Sequence, residues 1–288
     1  MAAGVAEVIS VRIGSGSWYD DLRAVRVVWR RELIRFFRAR IRIVTSLAQP
    51  VLFLFVMGTG LSPLVQSQPG QSVDFRTFLF PGIIAMTVLF TSIFSAISIV
   101  WDREFGFLRE MLVAPVRRGA LVLGKCLGGA TIATLQGIIV LALAGLVHVP
   151  YSPILLLTLV CEMALAAFTL TAFGILVASR LQQVESFQVV IQFFVLPMFF
   201  LSGAVFPFTR LPAWLRVLTQ LDPLSYAVDP MRRAVFSHVS ASTNVSQTFS
   251  QSMTWNGWPV PIGVELGLVG LLGAIMLVVA IAEFSRPA

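Results

Sequence analysis

Few side chains in this chain could carry acid–base or ligand chemistry, and those few stand in apolar surroundings. Glu162 is the one carboxylate in the middle of a long apolar run, and Gln136, Gln188 and Gln192 occupy comparable positions. An ionisable side chain inside a membrane segment is costly, and it therefore points to function, such as a place along a transport pathway. A structural hydrogen bond, for example between Glu162 and Gln136, is the competing explanation. The glutamines could likewise hold helices together.

No constellation of nucleophile, base or metal ligand is encoded in the sequence. His148 and His238 have no carboxylate or thiol at ligand spacing. Cys126 and Cys161 lie in apolar runs, where small buried hydrophobic side chains are expected. The phosphate-binding pattern GxxxxGK[ST] is also missing from the sequence. We therefore expect neither an enzyme nor a cofactor or metal bound by this chain.

The elements that carry these residues follow from composition. The chain has 288 residues, of which 57% are hydrophobic and 12% charged, and a mean hydropathy of +0.87. Soluble domains carry roughly 25% charged residues, and a bilayer-spanning helix needs roughly 20 apolar residues. The predicted fold is therefore an all-α membrane protein with six transmembrane helices, the fifth of them interrupted by Pro197 and Gly203. The predicted spans are 43–62, 79–100, 121–147, 153–178, 186–206 and 260–283.

Positive charge predicts the orientation and a separate N-terminal element. Most of the 21 lysine and arginine residues precede residue 43 or lie between the second and third runs, so both termini are expected in the cytoplasm, at the inner membrane. Residues 20–42 carry apolar side chains on one helical face and arginines on the other, which is typical of an interfacial helix among lipid headgroups rather than a nucleic-acid patch. The apolar face consists of Leu22, Val25, Trp29, Leu33 and Phe36. We divide the chain into a cytoplasmic N-terminus, 1–42, and one transmembrane domain, 43–288.

The loop between spans two and three, residues 101–118, has the sequence WDREFGFLREMLVAPVRR. Its pattern predicts an amphipathic helix over 101–112, with charges of both signs that include Asp102, before Pro115 ends it. Such a helix is either a solvated face or a docking element for the groove of a partner protein, and the pattern alone leaves both open. The residues assigned to this helix are Trp101, Glu104, Phe105, Gly106, Leu108, Arg109, Glu110 and Leu112.

The segment between spans five and six, residues 207–259, has two parts. Residues 207–236 are too apolar for a free loop and are broken by four prolines, at 207, 212, 223 and 230. They predict short re-entrant helices that dip into the outer leaflet, whereas residues 237–256 are polar and predict an exposed loop. The positions singled out in this segment are Pro207, Trp214, Pro223 and Tyr226.

Two stretches carry a resemblance to a known family. Residues 79–125 contain the pattern EFG, RE and a following proline, and residues 199–232 contain LDPLSYA at 221–227. Together they resemble the permeases of ABC-2 type transporters, in particular the daunorubicin-resistance and nodulation-factor export branch. The resemblance implies a six-helix subunit that pairs with itself or a related permease and works with two ATPase subunits, which bind Mg-ATP. It also implies that 101–112 is the coupling helix seated on the ATPase and that 207–236 closes the outer end.

From this resemblance we expect the membrane subunit of an ATP-driven exporter of an amphiphilic, drug-like or lipid-like substrate. The ratio of 23 phenylalanines to three tyrosines favours an oily substrate over a long sugar chain. Export of a lipid-linked polysaccharide or glycolipid on the same scaffold is the alternative cargo. A proton-coupled secondary transporter is the alternative from another class, and Glu162 is the one residue that supports it.

Overall fold

The computed structural model describes residues 18–65, 75–106, 117–206, 212–239, 253–255 and 258–285. Helices make up most of these residues, and one antiparallel hairpin precedes the last helix. The helices are α1 (Trp18–Arg38), α2 (Arg40–Val65), α3 (Phe75–Ser95), α4 (Ile97–Glu104), α5 (Arg118–Leu141), α6 (Pro153–Arg180), α7 (Val184–Leu201), α8 (Ala213–Leu221), α9 (Ser225–His238) and α10 (Ile262–Ser285). A 3₁₀ turn, Ala144–Val147, follows α5, and the strands are β1 (Thr254–Trp255) and β2 (Trp258–Pro259).

Within the described ranges, six helical segments are long and apolar enough to cross a membrane, which confirms the predicted all-α fold with six spans. They are α2, α3 with α4, α5, α6, α7 and α10, and the second span contains one turn residue, Ala96. Two predicted ends are wrong. The third span was expected to reach 147, but α5 ends at Leu141 and the 3₁₀ turn follows. The fifth was expected to reach 206, but α7 ends at Leu201 because Gly203 adopts a left-handed φ of 73°.

The centre of the bundle is α3, which packs against α2, α5, α6 and α9. Small residues allow these helices to approach closely, as is common between membrane helices. A Cβ atom on Gly82 would lie 2.5 Å from the carbonyl oxygen of Ala204, and one on Gly174 would lie 2.9 Å from that of Ile93. By contrast, α2 and α7 lie at the edge of the bundle and leave long apolar faces exposed.

Helix α1 is present as predicted, and the face seated on the protein includes the half-buried Val25, Trp29, Leu33 and Phe36 of the predicted stripe but extends to Val28 and Glu32. Val28 and Glu32 are its buried residues, whereas Leu22 of the predicted apolar stripe is 51% exposed. The reason is a pair of glycines on α5: Cβ atoms on Gly124 and Gly128 would lie 2.8 Å and 2.9 Å from the Cβ atoms of Val28 and Glu32. Helix α1 therefore packs tightly on span three, and its placement among lipid headgroups stays a prediction.

The segment after span five forms short helices, as its prolines suggested. Pro212 precedes α8, and Pro223 lies in the turn between α8 and α9, but Pro230 is accommodated inside α9 and does not break it. Residues 225–232 of α9 are all buried, because this helix packs against α3, α6 and α10. Pro207 lies outside the described residues, and the depth of these helices in a membrane stays a prediction.

Candidate functional site

A cavity of about 380 Å³ lies between α1, α2, α3, α4, α5 and α7. One part of its wall is apolar and aromatic, and the other carries hydroxyl, amide and charged groups. Its apolar residues are Phe36, Pro50, Met86, Phe90, Phe94, Ile97, Trp101 and Ile132. Its polar residues are Glu32, Arg35, Ser46, Gln49, Thr91, Ser95, Ser98, Gln136 and Gln188. A cavity of this size with a mixed wall can hold a small amphiphilic molecule.

The predicted pathway residues divide into those that line this cavity and those that do not. Gln136 and Gln188 line it, whereas Gln192, one turn further along α7, is exposed and is not among the lining residues. The amide of Gln136 donates to the Ser46 hydroxyl at 2.6 Å, and its carbonyl accepts from the Thr91 hydroxyl. Gln136 therefore joins the first three spans and leaves little hydrogen-bonding capacity for a ligand.

Glu162 lies away from the cavity, on α6. The suggested hydrogen bond to Gln136 is wrong, because the amide of that residue is engaged by spans one and two. Glu162 is only 5% exposed, and its Oε2 atom has no hydrogen-bond partner among the described residues. Helix α6, which carries Glu162, packs against α9, which carries Arg233. The sequence did not indicate this contact between the two helices.

A buried charge cluster, which sequence reasoning missed, adjoins the part of the cavity that Glu32 and Ser98 line. Lys125 is 6% exposed, and its Nζ atom lies 2.6 Å from Oδ2 of Asp102, 3.4 Å from Oε1 of Glu32 and 3.1 Å from the Ser98 hydroxyl. Arg31 also reaches Asp102, at 3.0 Å. The cluster joins α1, α4 and α5. A signal was available, since Lys125 is the sole lysine and stands in an apolar run, where ionisable residues are rare and paired.

The helix predicted over 101–112 is interrupted at the start of the loop that follows α4. Helix α4 ends at Glu104, and Gly106 has a left-handed φ of 79°, so the prediction of an unbroken helix over 101–112 is wrong at this point. Trp101 belongs to the cavity wall, and the buried Asp102 belongs to the charge cluster rather than to a solvated face. Phe105 is 68% exposed. The remaining coupling-helix residues, Leu108, Arg109, Glu110 and Leu112, lie outside the described residues.

Both ends of this loop are bonded to the ends of other helices. Before the loop, Arg103 donates to the carbonyls of Ser179 and Leu181 at 3.0 Å and 2.8 Å, and Glu104 accepts the N–H of Val184 at 3.0 Å. After the loop, Arg117 pairs with Asp21 of α1 at 3.4 Å. Its neighbour in sequence, Arg118, donates to the carbonyls of Phe284 and Ser285, which end α10. The segment 107–116 thus joins residues that contact α1, α6, α7 and α10.

A second buried charge cluster connects α9, the hairpin and α10. The guanidinium of Arg233 contacts Asp229 and, at 2.5 Å, Oε1 of Glu265. Asp229 also accepts the N–H of Met253 at 3.0 Å, and Arg233 donates to the carbonyl of Val260 at 3.0 Å. These contacts fasten the segment before span six to the bundle.

The predicted positions around α8 and α9 have different environments. Trp214 is 65% exposed, Pro223 is half-buried, and Tyr226 is buried, with its hydroxyl donating to the carbonyl of Gln220 at 2.7 Å. Between the two helices, burial raises the pKa of Asp222 from 3.8 to about 7, although its carboxylate accepts the N–H of Leu224 at 3.0 Å. This segment is therefore a packed element, in which Tyr226 and Asp222 are structural contacts.

Comparison with known proteins decides the family. Residues 23–236 match the family model described as ABC-2 type transporter. The chain belongs to the ABC-2 type transporter family. This match spans α1 to α9 and confirms the resemblance carried by the loop and by the segment at 221–227.

Three relatives are similar over most of this chain. Nodulation protein J of Rhizobium leguminosarum bv. viciae is 30% identical over 211 residues, which cover 71% of this chain and 79% of the relative. The putative transport permease ycf38 of Cyanophora paradoxa is 28% identical over 220 residues, or 74% of each chain. The probable multidrug ABC transporter permease YbhR of Escherichia coli K12 is 27% identical over 200 residues, 68% of this chain and 51% of the relative. The chain is thus a multi-pass membrane permease.

Proposed function

We propose that this chain is the permease subunit of an ATP-binding-cassette exporter that moves an amphiphilic, drug-like or lipid-like molecule out of the cytoplasm. A separate ATPase subunit supplies the energy and binds Mg-ATP, and this chain binds no cofactor of its own. The observation that carries the proposal is that the residues on either side of segment 107–116 contact four helices next to a cavity of mixed polarity. A partner seated there can act on most of the bundle at once.

The cavity supports the amphiphilic class of substrate. Its volume of about 380 Å³ suits a small molecule and would hold only part of a lipid-linked polysaccharide. Phe90, Phe94 and Trp101 offer an aromatic wall, while Gln188 and the charged pair Glu32 and Arg35 offer polar contacts. The printed name of the relative YbhR, a probable multidrug permease, favours the same class.

The proposal includes an assembly of two permease chains and two ATPase subunits in the cell membrane. Support for pairing comes from α2 and α7, whose apolar residues Leu52, Val56, Val189 and Phe193 are between 61% and 74% exposed. Lipid or a second copy would cover these faces. In the assembly, closure of the ATPase subunits would push the loops together, and the two bundles would tilt and change access to the cavity.

Docking of the ATPase can be tested at the start of the loop. Phe105→Asp combined with Leu108→Asp should release the ATPase from the detergent-solubilised complex, because a charge removes the apolar contact that fills a groove. Leu146→Asp is the matched control, since Leu146 is 58% exposed and lies beyond the opposite end of α5. Unchanged co-purification of the double variant, or equal loss with the control, would contradict docking through this loop.

The energy source can be tested in proteoliposomes that contain the permease and its ATPase, with daunorubicin as the amphiphilic probe. We expect uptake into inside-out vesicles to require ATP and to be weakened by Gln188→Leu, which removes a polar group from the cavity wall. Transport driven by a pH gradient without the ATPase, and abolished by Glu162→Gln, would instead establish the proton-coupled alternative.

The proposed orientation places both termini in the cytoplasm. Single cysteines that replace Glu110 and Val245, in a chain without Cys126 and Cys161, should react with a membrane-impermeant maleimide from the inside and the outside respectively. Both positions lie outside the described residues, so the labelling supplies the orientation independently. The opposite pattern would reverse the topology.

A further inference from the structure

The two residues that end α4 hold the turn between α6 and α7, an arrangement that we call the span-five clamp. Arg103 donates from Nη1 to the carbonyls of Ser179 and Leu181, at 3.0 Å and 2.8 Å. Glu104 accepts the N–H of Val184, the first residue of α7, at 3.0 Å. Two consecutive side chains therefore hydrogen-bond to the end of the fourth span and to the first residue of the fifth.

The charges of the clamp suit the helix ends that they contact. The last carbonyls of a helix and its first N–H groups have no partners within the helix, and they carry partial negative and positive charge respectively. A cation at the end of α6 and an anion at the start of α7 each satisfy such a group. Arg103 also lies 5.9 Å from the ring centroid of Phe284 of α10, which fixes its position further.

Helix α7 is also attached at its other end, where the carbonyl of its last residue, Leu201, accepts from the Ser225 hydroxyl at 3.3 Å. Its buried side chains are Phe187, Ile191, Val195 and Phe199, which recur along one face. The opposite face is open, with Val189 and Phe193 72% and 74% exposed. A helix that is packed along one face and held at both ends tilts when one of those ends is displaced.

The clamp connects this movable helix to the loop and to the cavity. Gly106, with its left-handed φ of 79°, follows Glu104 after one residue and leads into segment 107–116. On α4, Trp101 lines the cavity, and on α7 Gln188 lines it one turn after Val184. A displacement of the loop therefore reaches the start of α7 through Glu104 and the end of α6 through Arg103, and α7 carries part of the cavity wall.

We propose that Arg103 and Glu104 are positioning residues, which transmit movement of segment 107–116 to span five and so change the cavity during transport. This rests on the proposed docking of an ATPase on that segment. It assigns Glu104 to contact within the permease, in place of the contact with the ATPase that its sequence context suggested.

The contact itself is tested by amide hydrogen exchange of the permease without nucleotide. Glu104→Ala should raise the exchange rate of the Val184 amide about tenfold, since a hydrogen bond to a charged group is lost. Glu104→Gln keeps an acceptor oxygen and should restore most of the protection. Arg180→Ala is the matched control, because Arg180 ends α6 but pairs with Glu283 at 3.2 Å, outside the clamp.

Transmission is tested by spin labels on cysteines that replace Phe193 of α7 and Ile139 of α5, in the complex with the ATPase and without Cys126 and Cys161. ATP with vanadate should change the distance between the labels in the parent chain. Glu104→Ala should reduce this change at least twofold while the ATPase stays bound and active. Glu104→Gln should restore the change, and the Arg180→Ala control should keep it.

An unchanged distance response in Glu104→Ala, together with faster Val184 exchange, would overturn the proposal, because the clamp would then be a structural cap alone. Equal loss in Glu104→Ala and Glu104→Gln would overturn it as well. Arg103→Lys, which keeps the charge but not the fork of donors, gives the same test if Glu104→Ala fails to fold. Failure of the parent chain to retain any ATPase would refute the proposed docking instead, while the exchange of the Val184 amide would still report on the contact.

Discussion

In the buried cluster around Lys125, loss of the Asp102 carboxylate should destabilise the protein more than loss of the Lys125 ammonium. In Asp102→Asn, the carboxylate of Glu32 remains as the anionic partner of Lys125 at 3.4 Å, and Arg31 and Arg35, at 3.8 Å and 3.9 Å, share it. In Lys125→Met, Asp102 still has Arg31 at 3.0 Å and Arg35 at 3.9 Å. Breaking a buried pair costs about 3–5 kcal/mol when the remaining charge is uncompensated. We therefore expect Asp102→Asn to lower the free energy of unfolding by about 3 kcal/mol and Lys125→Met by about 2 kcal/mol.

The double variant tests whether the two effects come from one contact. The Nζ atom of Lys125 and Oδ2 of Asp102 are 2.6 Å apart, so their substitutions should not be additive, and a coupling energy of about 2 kcal/mol is expected. A suitable assay is unfolding of the purified chain in mixed micelles by increasing SDS, followed by the fluorescence of the tryptophans. Trp101 is adjacent to Asp102, and Trp29 lies on α1 three residues before Glu32.

An exposed ion pair provides the control for this cycle. Arg180 and Glu283 are 3.2 Å apart with side chains 66% and 22% exposed, so their coupling energy should stay below about 1 kcal/mol. Additivity within about 0.5 kcal/mol for Asp102 and Lys125 would refute a direct buried pair. A larger loss from Lys125→Met than from Asp102→Asn would refute the sharing of Asp102 among three cations.

Three further predictions concern the outer segment and the helix contacts. Arg233→Leu removes the cation that the buried carboxylates of Asp229 and Glu265 share. It should lower the free energy of unfolding by about 3–5 kcal/mol in the same assay. Because burial raises the folded-state pKa of Asp222 from 3.8 to about 7, ionisation penalises the folded state as pH rises through that window. Stability should fall by about 2–3 kcal/mol between pH 5 and pH 8. Asp222→Asn should remove this decline, and an unchanged profile would contradict the burial effect. Gly82→Ala should lower the melting temperature sharply, because its Cβ would lie 2.5 Å from a backbone atom. A Cβ on Gly60 would have no described atom within 4 Å, so Gly60→Ala should be neutral or stabilising. Similar losses in both variants would argue against the tight contact at Gly82.

The sequence predicts the spans well because their main determinant is local. Some 20 consecutive apolar residues suffice to define a membrane helix, whatever its neighbours. The short helices after span five were also predictable, since Pro212 and Pro223 act on the backbone next to them. Pro230 behaves differently, because the packing of α9 against three other helices outweighs its local effect.

The contacts within the site depend on which faces of distant helices meet, and no local pattern fixes that. Lys125 finds Glu32 across 93 residues and Asp102 across 23. The pairing of Gln136 with Glu162 failed for the same reason: both are polar residues in spans, but Gln136 faces spans one and two. The end of α4 was missed because the stripe over 101–112 has helical spacing, although Gly106 permits the left-handed turn that interrupts it.

The glycine seat of α1 on α5 has a consequence for biogenesis. During synthesis α1 leaves the ribosome first, but Gly124 and Gly128, against which it packs, follow roughly 100 residues later, after two spans have been made. Until then Glu32 lacks Lys125 and can pair only with the arginines of its own helix, Arg31 and Arg35. The final position of α1 is therefore reached after insertion of the third span. The contact between α1 and α5 can therefore form only in a chain whose first three spans have been made.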